Sequence, residues 1–211
     1  MKKGLLIVYS GLSGVGKGTI LSKLMPMEDL NLAYSVSMTT RQPREGETDG
    51  VNYFFVTKKR FLEAVKNGEL LEHARFVGND YGTPKEYVEK MREEGKNVIL
   101  EIEVEGGLNA RRIYPEAFLS FVVPPKASDI YDRLKNRGTE TEAQIRFRMK
   151  RAAEECDATP LYDYIVINDR LEECIDTLHN EITERKLVSD IRKNLIPKLK
   201  EDFTELTREE N

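Results

Sequence analysis

The stretch that most constrains the fold is a glycine-rich segment between the apolar run at residues 5–9 and a helical pattern at 19–24. It consists of Gly11, Leu12, Ser13, Gly14, Val15, Gly16, Lys17, Gly18 and Thr19. The order of strand, glycine-rich turn and helix is the context in which such a loop binds phosphate. Without side chains, glycines let backbone N–H groups surround an anion, and the helix N-terminus adds its positive dipole end. The segment therefore predicts a phosphate-binding loop.

One lysine and two hydroxyl groups supply the candidate chemistry of this loop. Lys17 can bring a mobile positive charge to the β- and γ-phosphates of a nucleotide. An ordinary glycine-rich turn would not explain a lysine directly after Gly16. The strict pattern has Ser or Thr after the lysine, whereas this chain has Gly18. Thr19 and Ser13 are therefore the candidate hydroxyl ligands of Mg²⁺, which could otherwise be held through water.

Composition narrows the class of protein. With 211 residues, 39% hydrophobic and 33% charged, the chain suits one globular α/β domain. A net charge of −4 gives no overall bias toward nucleic acid. The first apolar run has about five residues, fewer than the ~7–15 of a signal peptide, and no stretch is apolar enough to span a membrane. Cys156 and Cys174 have neither zinc-site nor disulfide-framework spacing. We expect a cytoplasmic protein that is a monomer or homodimer.

Strand and helix patterns alternate along the chain. Strands are predicted at 34–38, 53–56, 70–76, 98–102, 118–123 and 164–167, with helical patterns between most of them. This alternation indicates a parallel sheet with helices on both faces, interrupted by a small mixed insertion. Capping-box patterns predict helix starts at Thr83 and at Thr141. The helix after Thr141 is strongly basic, and a solvated face is the ordinary explanation of such charge.

The tail from about Leu187 is charged and has one apolar helical face. Its apolar residues are Ile191, Leu195, Leu199, Phe203 and Leu206. We expect this face to pack on the same subunit, with a partner helix as the alternative.

Several further motifs resemble those of guanylate kinases. They are the segment 37–47 (SMTTRQPREGE), the segment 50–56 (GVNYFFV), NDYGTP at 79–84 and RGTET at 137–141. The similarity runs from about Leu5 to Asp169, and the motifs occur in one order. The resemblance implies a three-layer P-loop NTPase fold in a single domain, 1–211. It implies a core at 4–35 and 88–187, a GMP-binding insertion at about 36–87, a helical lid at about 137–149, and a C-terminal tail at about 188–211.

The resemblance also implies roles for individual residues. Arg41, Arg44, Tyr53 and Tyr81 would hold the GMP phosphate, and two arginines three residues apart suit a phosphate. The whole GMP-binding set would be Ser37, Arg41, Arg44, Tyr53, Glu72, Tyr81, Gly82, Thr83, Glu101 and Glu103. Arg137 and Asn168 would join the phosphate loop in binding ATP. The catalytic set would be Lys17, Arg41, Arg137 and Arg148.

This chain departs from the usual family pattern at three positions. Glu103 stands where Asp is common, Glu105 replaces an amide, and Leu12 stands where proline is common. The acidic roles implied for Glu101 and Glu103 depend on these positions.

The resemblance implies transfer of the γ-phosphoryl group of MgATP to GMP, or to dGMP, giving ADP and GDP. The acceptor oxygen is already anionic, so the reaction needs no activated side-chain nucleophile, and charge stabilisation and positioning carry the catalysis. Two alternatives remain: a catalytically inactive guanylate-kinase-like binding module, or a kinase for another nucleoside monophosphate such as AMP. The intact lysine loop favours an enzyme over a binding module.

Overall fold

The computed structural model describes residues 3–76, 78–138, 140–191 and 195–200. The strands are β1 (Leu6–Gly11), β2 (Leu32–Tyr34), β3 (Met38–Thr39), β4 (Phe54–Phe55), β5 (Leu70–Phe76), β6 (Asn79–Pro84), β7 (Asn97–Glu101), β8 (Phe118–Val123) and β9 (Tyr164–Ile167). The α-helices are α1 (Lys17–Leu24), α2 (Lys58–Lys66), α3 (Lys85–Glu93), α4 (Val104–Ile113), α5 (Ala127–Arg137), α6 (Glu142–Cys156) and α7 (Leu171–Asp190).

The core is a five-stranded sheet in the order β2-β7-β1-β8-β9, and every pairing in it is parallel. Leu6 lies opposite Val98, and Ile7 lies opposite Phe118. All six residues of the central strand β1 are buried, which requires helices on both faces of the sheet. The predicted three-layer fold is therefore confirmed. Ligands of such sheets bind beyond the carboxyl ends of the strands, where the phosphate loop follows β1.

A second sheet has the order β4-β3-β6-β5, and we call it the insertion sheet. β3 pairs in parallel with β4 and antiparallel with β6, and β6 pairs antiparallel with β5. It has a small hydrophobic cluster of its own, formed by Met38, Phe61, Ala64 and Leu70. The sequence-based expectation of a mixed β-rich segment agrees with this arrangement.

Two local predictions were wrong. The strand predicted at 34–38 is two strands, because β2 ends at Tyr34 in the core sheet and β3 begins at Met38 in the insertion sheet. The chain crosses between the sheets at residues 35–37. Thr83 does not cap α3, which begins after Pro84 without a side-chain cap. Its hydroxyl instead donates to Glu72 at 2.7 Å.

The apolar tail residues that are described do not pack against the core. Ile191, Leu195 and Leu199 are 39–48% exposed. The expectation that they pack on the same subunit was therefore wrong for these residues, and Phe203 and Leu206 lie outside the described residues. Within the described ranges, each helix is too short or too polar to traverse a lipid bilayer.

Candidate active site

The phosphate loop, residues 11–19, joins β1 to α1 through two glycines in left-handed conformations. Gly14 has φ 84° and Gly16 has φ 100°. A Cβ at Gly16 would lie 3.1 Å from the side-chain nitrogen of Asn168, so a larger residue would meet both backbone strain and a close contact. Gly16 precedes α1, and no side chain in the described part of the chain caps that helix. Its N-terminal amides are therefore available to an anion.

Lys17 begins α1 and folds back over the loop. Its Nζ donates to the carbonyl oxygen of Gly11 at 2.7 Å. Burial lowers the pKa of Lys17, and the carboxylates of Glu103, Glu101 and Glu155 oppose that shift by favouring the charged form. The lysine therefore lies in a partly dehydrated, electronegative setting, where a phosphate would replace carbonyl contacts.

Side chains from distant parts of the chain hold the loop in place. Arg133 and Asn168 both donate to the carbonyl oxygen of Val15, at 2.7 and 2.8 Å. The Ser13 amide donates to Glu155 at 3.0 Å. Sequence reasoning named Asn168 but missed Arg133 and Glu155, because no local pattern connects residues that lie 118 and 142 positions from their partners.

The two hydroxyl candidates for a metal differ in position. Thr19 lies in the first turn of α1 and is exposed, whereas Ser13 is half-buried in the loop. Within the described ranges, no group of three or more His, Cys, Asp or Glu residues is arranged to hold a metal ion. The described donor set therefore does not form a protein-built metal cage.

Two residues after β3 of the insertion sheet, Arg41 lies among aromatic rings and a carboxylate. Its Nη2 lies 2.8 Å from Glu47, and its guanidinium carbon lies 5.3 Å from the centre of the Tyr53 ring. The rings of Tyr53 and Tyr81 meet edge to face at 5.9 Å. Glu47 also accepts the backbone N–H of Arg44, whose side chain is exposed. Arg41, Tyr53 and Tyr81 are therefore brought together, and Glu47 organises the turn beside them.

A buried carboxylate lies on the neighbouring strand. Glu72 is 9% exposed, and burial raises its pKa, although the hydrogen bond from Thr83 opposes that rise. The start of α4 approaches closely, since a Cβ at Gly106 would lie 3.0 Å from Glu72 Oε2. Gly82 lies in β6 beside Thr83, and Ser37 immediately precedes β3 with a half-buried side chain. This buried position excludes the interpretation of Glu72 as a solvated surface glutamate.

The acidic residues after β7 have different partners. Glu101 ends β7 and accepts the Tyr34 hydroxyl at 2.9 Å. Glu103 lies directly before α4 and pairs with Arg151 of α6 at 3.1 Å. Both carboxylates favour the charged form of Lys17 and so oppose the lowering of its pKa by burial.

The two arginines of the predicted lid are placed differently. Arg137 is the last residue of α5 and is exposed. Arg148 lies on α6 and pairs with Glu140 at 2.6 Å, and its charge also acts on Lys17. The Thr141 capping box that starts α6 is confirmed, with reciprocal bonds between Thr141 and Gln144. Thr139, within the predicted lid, lies outside the described residues.

The parallel sheet and its strand–loop–helix phosphate site define a P-loop NTPase fold. The family model for guanylate kinase matches residues 3–185. A guanylate kinase of Bacillus anthracis is 52% identical over 171 residues, 81% of this chain and 83% of that protein. The guanylate kinase of Bacillus subtilis (strain 168) is 49% identical over 177 residues, 84% and 87% of the two chains.

One solved structure agrees with the sequence comparisons. The crystal structure of guanylate kinase from Anaplasma phagocytophilum superimposes with a TM-score of 0.65 at 31% identity, covering 87% of each chain. The chain belongs to the guanylate kinase family.

Proposed function

We propose that the protein transfers the γ-phosphoryl group of ATP to the phosphate of GMP or dGMP, giving ADP and the corresponding diphosphate. The observation that carries this proposal is the buried Glu72, held by Thr83 on a sheet separate from the phosphate loop. Guanine presents N1–H and an exocyclic amino group side by side, and a buried carboxylate can accept from both. Adenine lacks that pair of donors, so this site favours guanine.

The acceptor phosphate belongs beside Arg41. Arg41 uses Nη2 for Glu47 and Nη1 for the Gln42 carbonyl oxygen, and a guanidinium has five N–H donors. Its remaining donors, with the hydroxyls of Tyr53 and Tyr81 and the charge of Arg44, can hold the phosphate. Glu101 and Glu103 would position the nucleoside from the core side.

The donor triphosphate belongs in the phosphate loop. The amides at the start of α1 would surround its β-phosphate, and Lys17 would move from the Gly11 carbonyl oxygen to the transferring group. In the transfer, an oxygen of the GMP phosphate bonds to the γ-phosphorus while the bond to the ADP oxygen breaks. Lys17, Arg41, Arg137 and Arg148 would stabilise the charge on the transferring group.

We further propose that Mg²⁺ accompanies ATP. The described residues suit a cation held mainly by phosphate oxygens and water, because the exposed Thr19 hydroxyl is near the loop and no protein-built cage surrounds it. Thr19, directly or through water, and Glu101 through water would hold the ion. When bound, Mg²⁺ neutralises phosphate charge. We also propose that the protein acts in the cytoplasm.

The experiment is an assay of ADP formation with MgATP and a panel of GMP, dGMP, AMP, CMP and UMP. GMP-dependent ADP formation well above the rates with the pyrimidine nucleotides and AMP supports the proposal. Binding of GMP without any ADP formation would instead identify a binding module. A preference for AMP would identify another nucleoside monophosphate kinase.

A further inference from the structure

One buried carboxylate at the active site is not explained by substrate binding. Glu155 lies one residue before the end of α6 and is 9% exposed. Its Oε2 accepts the Ser13 amide at 3.0 Å, and its Oε1 accepts Arg151 Nε at 3.1 Å. Burying a carboxylate is unfavourable unless it gains specific partners. Here the partners join α6 directly to the phosphate loop.

Arg151 extends this connection to the other side of the site. It donates through Nε to Glu155 and through Nη2 to Glu103, each at 3.1 Å. Ser13, Glu155, Arg151 and Glu103 therefore form one continuous hydrogen-bonded chain. This series of hydrogen bonds runs from the loop that would hold ATP, through α6, to the acidic turn that would face GMP.

The same helix carries Arg148 one turn before Arg151. The C-terminal end of α6 is thus joined to both candidate substrate sites, and Arg148 lies on the adjacent turn.

We propose that Glu155 is a positioning residue for phosphoryl transfer, which fixes the phosphate loop to the helix carrying Arg148. This inference rests on the proposed function, since the reaction is the one proposed above. Glu155 touches neither substrate in this assignment. Its effect passes through the Ser13 amide and through Arg151.

The substitution Glu155→Gln tests the two contacts of this residue, with the Ser13 amide and with Arg151. A glutamine presents one acceptor oxygen and one donor nitrogen, so it can satisfy either the Ser13 amide or Arg151 but meets the other donor to donor. The substitution also removes the charge with little change in volume. Glu154→Gln is the matched control, because Glu154 is the exposed neighbour on the same helix.

We expect kcat of Glu155→Gln to fall about ten- to a hundredfold, the size of effect produced by slight misplacement of reacting groups. KM for GMP should change by less than about twofold, because GMP-binding side chains are untouched.

Two further variants keep the inference testable if Glu155→Gln does not fold. Arg151→Met removes both ion pairs from a half-exposed position and should lower kcat. In the full chain without nucleotide, Glu155→Ala should speed hydrogen exchange of the Ser13 amide relative to Glu154→Gln, and this readout requires no activity.

The outcomes separate this inference from the proposed function. If the unsubstituted protein forms no ADP from GMP and ATP, the proposed function fails, and the exchange measurement still tests the link between Glu155 and the loop. If the unsubstituted protein is active but kcat of Glu155→Gln matches that of Glu154→Gln, the positioning role is overturned. Unchanged Ser13 exchange in Glu155→Ala would overturn it as well.

Discussion

The phosphate loop and the insertion sheet would both bind phosphate, yet they are built differently. The loop offers backbone amides, fixed by the left-handed Gly14 and Gly16 and held from outside by Arg133 and Asn168. The insertion sheet offers side chains such as Arg41, placed by Glu47 and aromatic rings. A site built from backbone amides has only a few side chains that contribute to binding. A site built from side chains spreads its affinity over several residues. Substitutions of the phosphate-binding side chains should therefore have large effects in the loop and smaller ones in the insertion sheet.

The largest expected effect is at the single charged side chain of the loop. Lys17→Ala should lower kcat about a thousandfold or more, because no other loop side chain can bring a positive charge to the transferring group. GMP binding and the fold should be preserved. The measurement is steady-state kcat together with GMP binding by calorimetry, with Lys23→Ala as the control, since Lys23 is exposed at the other end of α1. Turnover close to that of the control would show that the loop lysine is not catalytic.

The second effect concerns the buried glutamate of β5 in the insertion sheet. Glu72→Gln keeps the size but can accept from only one of the two guanine donors. Hydrogen bonds to a charged acceptor contribute about 1.5–3 kcal/mol each. The amide loses the charge from both bonds and meets one guanine donor with a donor of its own, so kcat/KM for GMP should fall about 10²–10⁴-fold. AMP should lose less or gain, since its N1 accepts a hydrogen bond. The measured quantity is the GMP-to-AMP ratio of kcat/KM.

The exposed Glu63 of α2 provides the matched control Glu63→Gln. A ratio that stays within about threefold, under ~1 kcal/mol, would mean that Glu72 does not recognise the base. Ser37 and Thr83 would then be the remaining candidates for base recognition.

The lid arginine Arg148 tests whether α6 acts in phosphoryl transfer at the loop or in GMP binding at the insertion sheet. Arg148→Ala should lower kcat about a hundredfold with little change in KM for GMP, because its charge acts mainly in the transition state. Arg146→Ala is the control, since the Arg146 side chain is 79% exposed on the same helix. Weaker ATP binding with unchanged kcat would place Arg148 in ground-state binding instead.

The same contrast explains what the sequence could predict. The phosphate loop was predictable because its chemistry lies within nine consecutive residues. The two capping boxes show where local patterns fail: Thr141 caps α6, whereas the Thr83 hydroxyl is taken by Glu72 on a neighbouring strand. No local rule reveals that competition. Family resemblance supplied Glu72, Thr83 and Arg41, but the Thr83–Glu72 hydrogen bond and the Arg41–Glu47 ion pair are found only in the structure.

The tail shows a second limit of pattern reading. Its apolar spacing predicted packing, yet Ile191, Leu195 and Leu199 are exposed. Periodicity identifies a helical face but carries no information about what covers it. The residues that hold the loop, Arg133 and Glu155, were missed for a related reason, because ordinary helix positions carry no signal for a partner over a hundred residues away.

The smallest expected effect is at the carboxylate that organises the Arg41 turn. Glu47→Gln should raise KM for GMP about two- to fivefold with unchanged kcat, the size typical of a partly exposed ion pair of up to ~1 kcal/mol. Arg41 has donors to spare beyond those used on Glu47 and Gln42, so the pair can pre-position the guanidinium without blocking the phosphate. The hydrogen bond to Arg41 holds the pKa of Glu47 below its ordinary value, so the pair persists through neutral pH. The assay is GMP saturation at fixed MgATP, with the exposed neighbour variant Glu45→Gln as control. A lower KM would mean instead that Glu47 competes with the phosphate for Arg41. Glu47 would then weaken GMP binding rather than pre-position the guanidinium.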